Sequence, residues 1–114
     1  MCDTNEALSI LREVCERCAP ILPICDAYLY GSYARGDYRP SSDVDIMLIT
    51  PLSTNEIRMR NMQISSVVGD LCIEHDVTVS VSVRSREQFR PQSLPYYRSI
   101  VAEGIRYNGG GIRP

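Results

Sequence analysis

Residues 77–83 read Val-Thr-Val-Ser-Val-Ser-Val, an unbroken alternation of β-branched apolar and small hydroxyl side chains. A period of two places every valine on one face of a strand and Thr78, Ser80 and Ser82 on the other. Such a strand needs neighbours for its backbone and a core for its valines. The flanking segments are helical in pattern, so those neighbours must be gathered from other parts of the chain. This restricts the fold to helices packed on a sheet of several short strands.

The other elements follow from spacing and capping. Asp3-x-x-Glu6 reads as a capping box opening a helix over residues 4–18, with Ala7, Ile10, Leu11, Val14 and Cys18 on its inner side. A short strand is expected over 25–30, a helical turn over 32–35, a polar loop over 36–42 and a strand over 43–49. Ser53-x-x-Glu56 is a second capping box and opens one long helix that turns Ile57, Ile64, Val67, Val68, Leu71 and Cys72 inward. Ser85 is placed to cap a turn carrying Glu87 and Phe89. A last helix follows Pro95 through Tyr97, Ile100 and Val101, with Gly104 as its C′ residue, before a short edge strand over 105–107. The expected fold class is α/β (α+β): a small mixed β-sheet with helices packed on one face, the other face open to a ligand. The 114 residues make one domain, 1–108, with a flexible tail over 109–114.

Charge and composition narrow the function. The formal net charge is −2, with no basic stripe, so neither long nucleic acid nor an anionic membrane is expected as a partner. No apolar run approaches eighteen residues, and the first residues lack a signal-peptide pattern, so a cytoplasmic location is expected. Five cysteines do not make a disulfide framework. Cys15-x-x-Cys18 lacks a second ligand pair at metal spacing and reads as core packing.

The chemistry gathers between the first two strands. Gly31-Ser32 directly follows a predicted strand, where glycine permits a tight turn and close ligand approach while Ser32 opens a helical turn suited to an anion. By itself this pair is also an ordinary turn. In Asp43-Val44-Asp45 the two carboxylates stand at i and i+2, on one face of a strand, where they repel unless a cation joins them. Oxygen-only donors suit Mg²⁺. Taken alone, the same triplet can be a solvated strand end.

Together these pieces form Gly-Ser-x10-Asp-x-Asp, and residues 31–49 resemble the minimal nucleotidyltransferase branch of the polymerase β-like nucleotidyltransferase superfamily. Arg35 and Gly36 fit the same pattern, and Glu103-Gly104-Ile105 extends the resemblance loosely over most of the chain. The resemblance implies that Gly31, Ser32 and Arg35 meet the triphosphate of ATP or another nucleotide, and that Asp43 and Asp45 are catalytic and bind Mg²⁺. It also implies nucleotidyl transfer, an acceptor oxygen attacking the α-phosphate while pyrophosphate leaves. Stand-alone members resemble antitoxins paired with HEPN-type toxins, so the implied acceptor is a hydroxyl on such a partner.

In one respect the chain departs from that pattern. Relatives carry a third carboxylate on a neighbouring strand, but residues 77–83 offer only Thr78, Ser80 and Ser82, and Asp76 lies at the strand's entry. A hydroxyl is no general base at neutral pH. His75, the lone histidine, reads as a solvated helix end. An active transferase and a catalytically weak nucleotide-binding or interaction module therefore both remain open. The apolar sides of the first and last helices, with Tyr96 and Tyr97, read either as a partner surface or as core.

Overall fold

The computed structural model describes residues 2–90, 94–107 and 112–113. In chain order the elements are α1 (Thr4–Cys18), β1 (Asp26–Tyr30), α2 (Ser32–Arg35), β2 (Val44–Thr50), α3 (Thr54–Met59), α4 (Asn61–His75), β3 (Val79–Ser85), α5 (Pro95–Glu103), β4 (Ile105–Tyr107) and β5 (Ile112–Arg113). The strands form one mixed sheet in the order β3-β2-β1-β4-β5. Only β2 and β3 run parallel, joined by the α3–α4 crossover, and the other pairs are antiparallel. No helix among the described residues is long and apolar enough to cross a membrane.

Alternation along the strands sorts the core into two parts. Val44, Ile46 and Leu48 of β2 join Leu29, Val79 and the inner faces of α1 and α4 in the main core. Met47 and Ile49, pointing the other way, join Tyr28, Tyr97 and Ile100 in a smaller cluster. α1 and α4 thus cover one face as expected, while α5 crosses to the other because Tyr97 and Ile100 need apolar cover that only that face still offers. The apolar side of α1 and Tyr97 is core, not partner surface.

Several boundaries move for local reasons. The long helix expected after Ser53 is two helices, broken at Arg60 (φ −104°, ψ 0°), whose guanidinium donates to the Ile21 carbonyl at 2.9 Å and to that of Glu56 at 3.0 Å. β3 starts at Val79 rather than at 77, because Asp76 closes α4 in the left-handed conformation (φ 52°) and Val77 N–H still bonds back to the Cys72 carbonyl. β2 likewise begins at Val44, leaving Asp43 just outside the ladder. Gly104 is not left-handed (φ −75°); glycine is required there because a Cβ would collide with the Ile100 carbonyl oxygen. β4 is flanked on both sides, because Ile112–Arg113 of the predicted flexible tail pair with it as β5. Residues 109–111 and 114 of that tail lie outside the described residues.

Side chains close both ends of the outer edge of β3. Val79 N–H donates to Cys72 Sγ at 3.2 Å, and Ser85 N–H donates to Gln88 Oε1 at 3.2 Å. Near that second end Arg84 Nη1 donates to the Val83 carbonyl at 3.0 Å. Between α1 and α4, His75 is no solvated helix end: its ring nitrogens lie 3.1 Å from Glu6 and 2.7 Å from Glu13, while Arg17 ties Glu13 to Glu74. Glu6 is therefore engaged with His75, and Asp3 makes the forward capping bond to Glu6 N–H at 2.8 Å.

Candidate active site

The register of the sheet determines which groups meet. Tyr30, Asp45 and Ser80 stand opposite one another across β1, β2 and β3, and Tyr28, Met47 and Ser82 form the next row. Paired residues share a face, so Asp45 projects from the face opposite α1 and α4. β1 delivers the chain to this end of the sheet and β2 starts there. The turn at Gly31 and the Asp43-Val44-Asp45 segment are therefore neighbours despite the residues between them.

Gly31 has φ 77° and ψ −153°, a conformation that belongs almost exclusively to glycine. A Cβ built there would lie 2.5 Å from Asp45 Oδ2, so the bare backbone is what lets the turn and the carboxylate share one space. Ser32 opens α2, whose single turn is held by Ala34 and Arg35 N–H bonds to the Gly31 carbonyl, both at 3.1 Å. Tyr33 is buried and stacks on Tyr38 at 4.5 Å, which anchors the loop that follows. Arg35 is exposed and pairs with Asp37 at 3.2 Å and more loosely with Glu103 at 3.9 Å.

The two carboxylates differ in setting. Asp43 is exposed and precedes the strand; Asp45 is half-buried within it. Burial, and then the negative charge of Asp43, push the Asp45 carboxyl above the usual carboxylate range, with Arg35 acting weakly against them. Among the described residues neither aspartate takes part in a salt bridge. Two neighbouring oxygen donors with no salt-bridge partner among the described residues fit a hard divalent cation such as Mg²⁺.

Ser80 stands directly opposite Asp45, so the row that would hold a third acid ends in a hydroxyl. Asp76 caps α4 outside the strand. His75 belongs to the α1–α4 side of the sheet. Two residues that sequence reasoning did not assign to the site border it. Tyr30 accepts a bond from the Tyr96 hydroxyl at 3.1 Å, and burial raises its own pKa well above the usual phenol value. The period of two from Tyr28 through Tyr30 was the available signal, since it puts both rings on the face that Asp45 shares. A cavity of about 500 Å³ lined by Cys15, Ile24, Cys25 and Tyr107, and another of about 330 Å³ along β3, include none of Gly31, Ser32, Asp43 and Asp45.

A family model described as nucleotidyltransferase domain matches residues 8–108. A protein of Methanocaldococcus jannaschii, provisionally named a protein adenylyltransferase, is 31% identical over 81 residues, which span 67% of this chain and 70% of that protein. The solved structure of a toxin–antitoxin with AMP-PNP is similar with a TM-score of 0.55 and 18% identity, over 83% of this chain and 69% of the other. A provisionally named minimal nucleotidyltransferase is similar with a TM-score of 0.52 and 18% identity, over 91% of this chain and 95% of the other. At those identities the solved structures bear on the fold, and the fold is the same.

Proposed function

The chain belongs to the nucleotidyltransferase domain family, and we propose that it transfers AMP from ATP to a hydroxyl on a protein partner, with Asp43 and Asp45 as its catalytic, Mg²⁺-holding pair. The observation that carries this reading is that Asp45 Oδ2 occupies the space a Cβ on Gly31 would need, 2.5 Å from where that atom would lie, which sets the phosphate-side turn beside the carboxylate. Gly31 offers a backbone without a side chain to the triphosphate, Ser32 its hydroxyl and Arg35 a guanidinium within the field of Asp45. When bound, Mg²⁺ supplies charge neutralisation at the phosphates and at the attacking oxygen. The acceptor oxygen forms the new bond to the α-phosphorus, the α–β bridging bond breaks and pyrophosphate departs. The acceptor proton leaves to solvent or to the partner, since Ser80 is no base.

A protein acceptor is supported by the name of the archaeal relative, and an adenine nucleotide by the AMP-PNP of the toxin–antitoxin neighbour. The same neighbour supports a toxin as the partner; the HEPN type rests on the family resemblance of residues 31–49, and a cytoplasmic site of action on the sequence pattern. A second reading, nucleotide binding with little transfer, is favoured by the hydroxyl of Ser80 opposite Asp45.

Calorimetric titration of Mg·ATP into wild type and the Asp43→Asn/Asp45→Asn variant tests binding, and equal affinities would exclude the site. Incubation with ATP labelled at the α-phosphate and the protein encoded beside this one tests transfer. Label on the neighbour supports adenylylation; binding without label supports the second reading.

A further inference from the structure

α4 has two apolar sides. Ile64, Val67, Val68 and Leu71 face the core, while Met62, Ser66, Gly69 and Ile73, spaced i, i+4, i+7 and i+11, form a charge-free stripe on the solvent side. Met62 and Ile73 are 87% and 82% exposed, and Met59, which precedes the stripe at the end of α3, is 81% exposed; no other large apolar side chain among the described residues is as open. Isolated exposed apolar residues are ordinary, but here two stand on one line of α4 and a third at the adjoining end of α3.

Gly69 has no packing role among the described residues. It sits mid-helix, where glycine is unfavourable relative to alanine, and a Cβ there would meet nothing within 4 Å. Neither a turn nor close packing within the chain calls for it. What it does provide is a notch beside Ser66 into which a side chain from outside can fit.

From these features we infer that a second copy of this chain docks on α4, the two helices antiparallel about a two-fold axis near Ser65 and Ser66. Met62 and Gly69 lie on opposite sides of that centre, at offsets of about one turn. The knob of each copy therefore meets the notch of the other, as an isologous contact requires. Charge agrees with shape. Arg58 lies at the α3 end of the surface with no carboxylate partner among the described residues, and Asp70 lies toward the other end, also without an ion pair. An antiparallel copy brings Arg58 of α3 in one copy toward Asp70 of α4 in the other, and it opposes the two α4 dipoles. The contact runs about 22 Å, the length of one 15-residue helix, well short of a standard interface, so the dimer is weak and concentration-dependent.

Sedimentation velocity of the full chain from about 1 μM to about 1 mM is expected to show a reversible monomer–dimer equilibrium. Met62→Glu and Gly69→Leu each weaken it at least about tenfold, and Gly69→Leu leaves the monomer folded, with an unchanged or higher Tm, because its site is open. Arg58→Glu and Asp70→Arg each weaken association, and the double reversal restores it. A wild type that stays monomeric over the whole range overturns the inference. So does a dimer that none of these substitutions weakens.

Discussion

Alanine at position 31 adds a single methyl group at the most crowded point of the site, and its two effects can be worked separately. The backbone at φ 77° and ψ −153° accommodates a Cβ only with strain of about 1–3 kcal/mol. For a domain of this size that lowers Tm by roughly 5–15 °C. The methyl would also lie 2.5 Å from Asp45 Oδ2, where ordinary contact begins at 3.4 Å, so the carboxylate must withdraw by about 1 Å. A shift on that scale at a reacting group lowers the rate on the order of 10². Gly36→Ala provides the comparison: φ is 88°, but nothing lies within 4 Å of its Cβ, so it carries strain without displacing Asp45. Thermal melts and an α-labelled ATP transfer assay on both variants are expected to show two destabilised proteins, only one of them also slow. In an Asp45→Ala background the stability loss from Gly31→Ala should shrink, because the carboxylate it strikes is gone. Full activity in Gly31→Ala, or equal activity losses in the two variants, would falsify the argument.

Other outcomes follow from the electrostatics and the packing. Asp45→Asn should raise the Tm of the nucleotide-free protein at neutral pH while abolishing transfer, because burial and Asp43 already disfavour the charged form; a lowered Tm would contradict this. Burial lowers the pKa of His75, but the bonds to Glu6 and Glu13 outweigh it, and the folded value lies above 6.5. The charged clamp therefore contributes fully below pH 6.5 and fades as pH rises through the folded value, so urea melts across that window should lose this slope in His75→Gln. Ser80→Asp puts a carboxylate opposite Asp45 and should speed metal-dependent transfer by about 10²; with no metal present it should lower Tm by added repulsion. Gly104→Ala, which forces a Cβ against the Ile100 carbonyl, should lower Tm by a few degrees without changing nucleotide affinity measured by calorimetry.

What the sequence made legible was what repeats or caps locally. The α1 span, the alternating faces of β3 and the Ser85-capped turn could be read because each depends on neighbours within a few residues, whereas the juxtaposition of Gly31 with Asp45 was legible only through the family resemblance of the spacing. The break at Arg60 could not be read, since its cause is the carbonyl of Ile21, far away in the chain. The role of His75 was hidden for the same reason, its partners being two glutamates on α1. Gly104 shows the limit in another form: its place at a helix end was legible, but the crowding that requires glycine there comes from the Ile100 and Leu29 carbonyls. The second face of the sheet was expected to be open, and the apolar pairing of Tyr97 and Ile100 with Met47 and Ile49 could not be foreseen without the strand order.

The capped outer edge of β3 has a further consequence, one that belongs to redox chemistry. An unpaired strand rim is a template for pairing with another chain, and here one of its two closures is a thiol, Cys72 Sγ accepting from Val79 N–H. A sulfur oxidised to sulfinic or sulfonic acid gains oxygens and a negative charge, too bulky and too polar for the place the thiol holds against the core beside β3. Peroxide treatment should therefore turn a protein that stays in solution when reduced into one that accumulates strand-paired aggregates, and Cys72→Ser, whose oxygen still accepts the bond, should remain soluble through the same treatment.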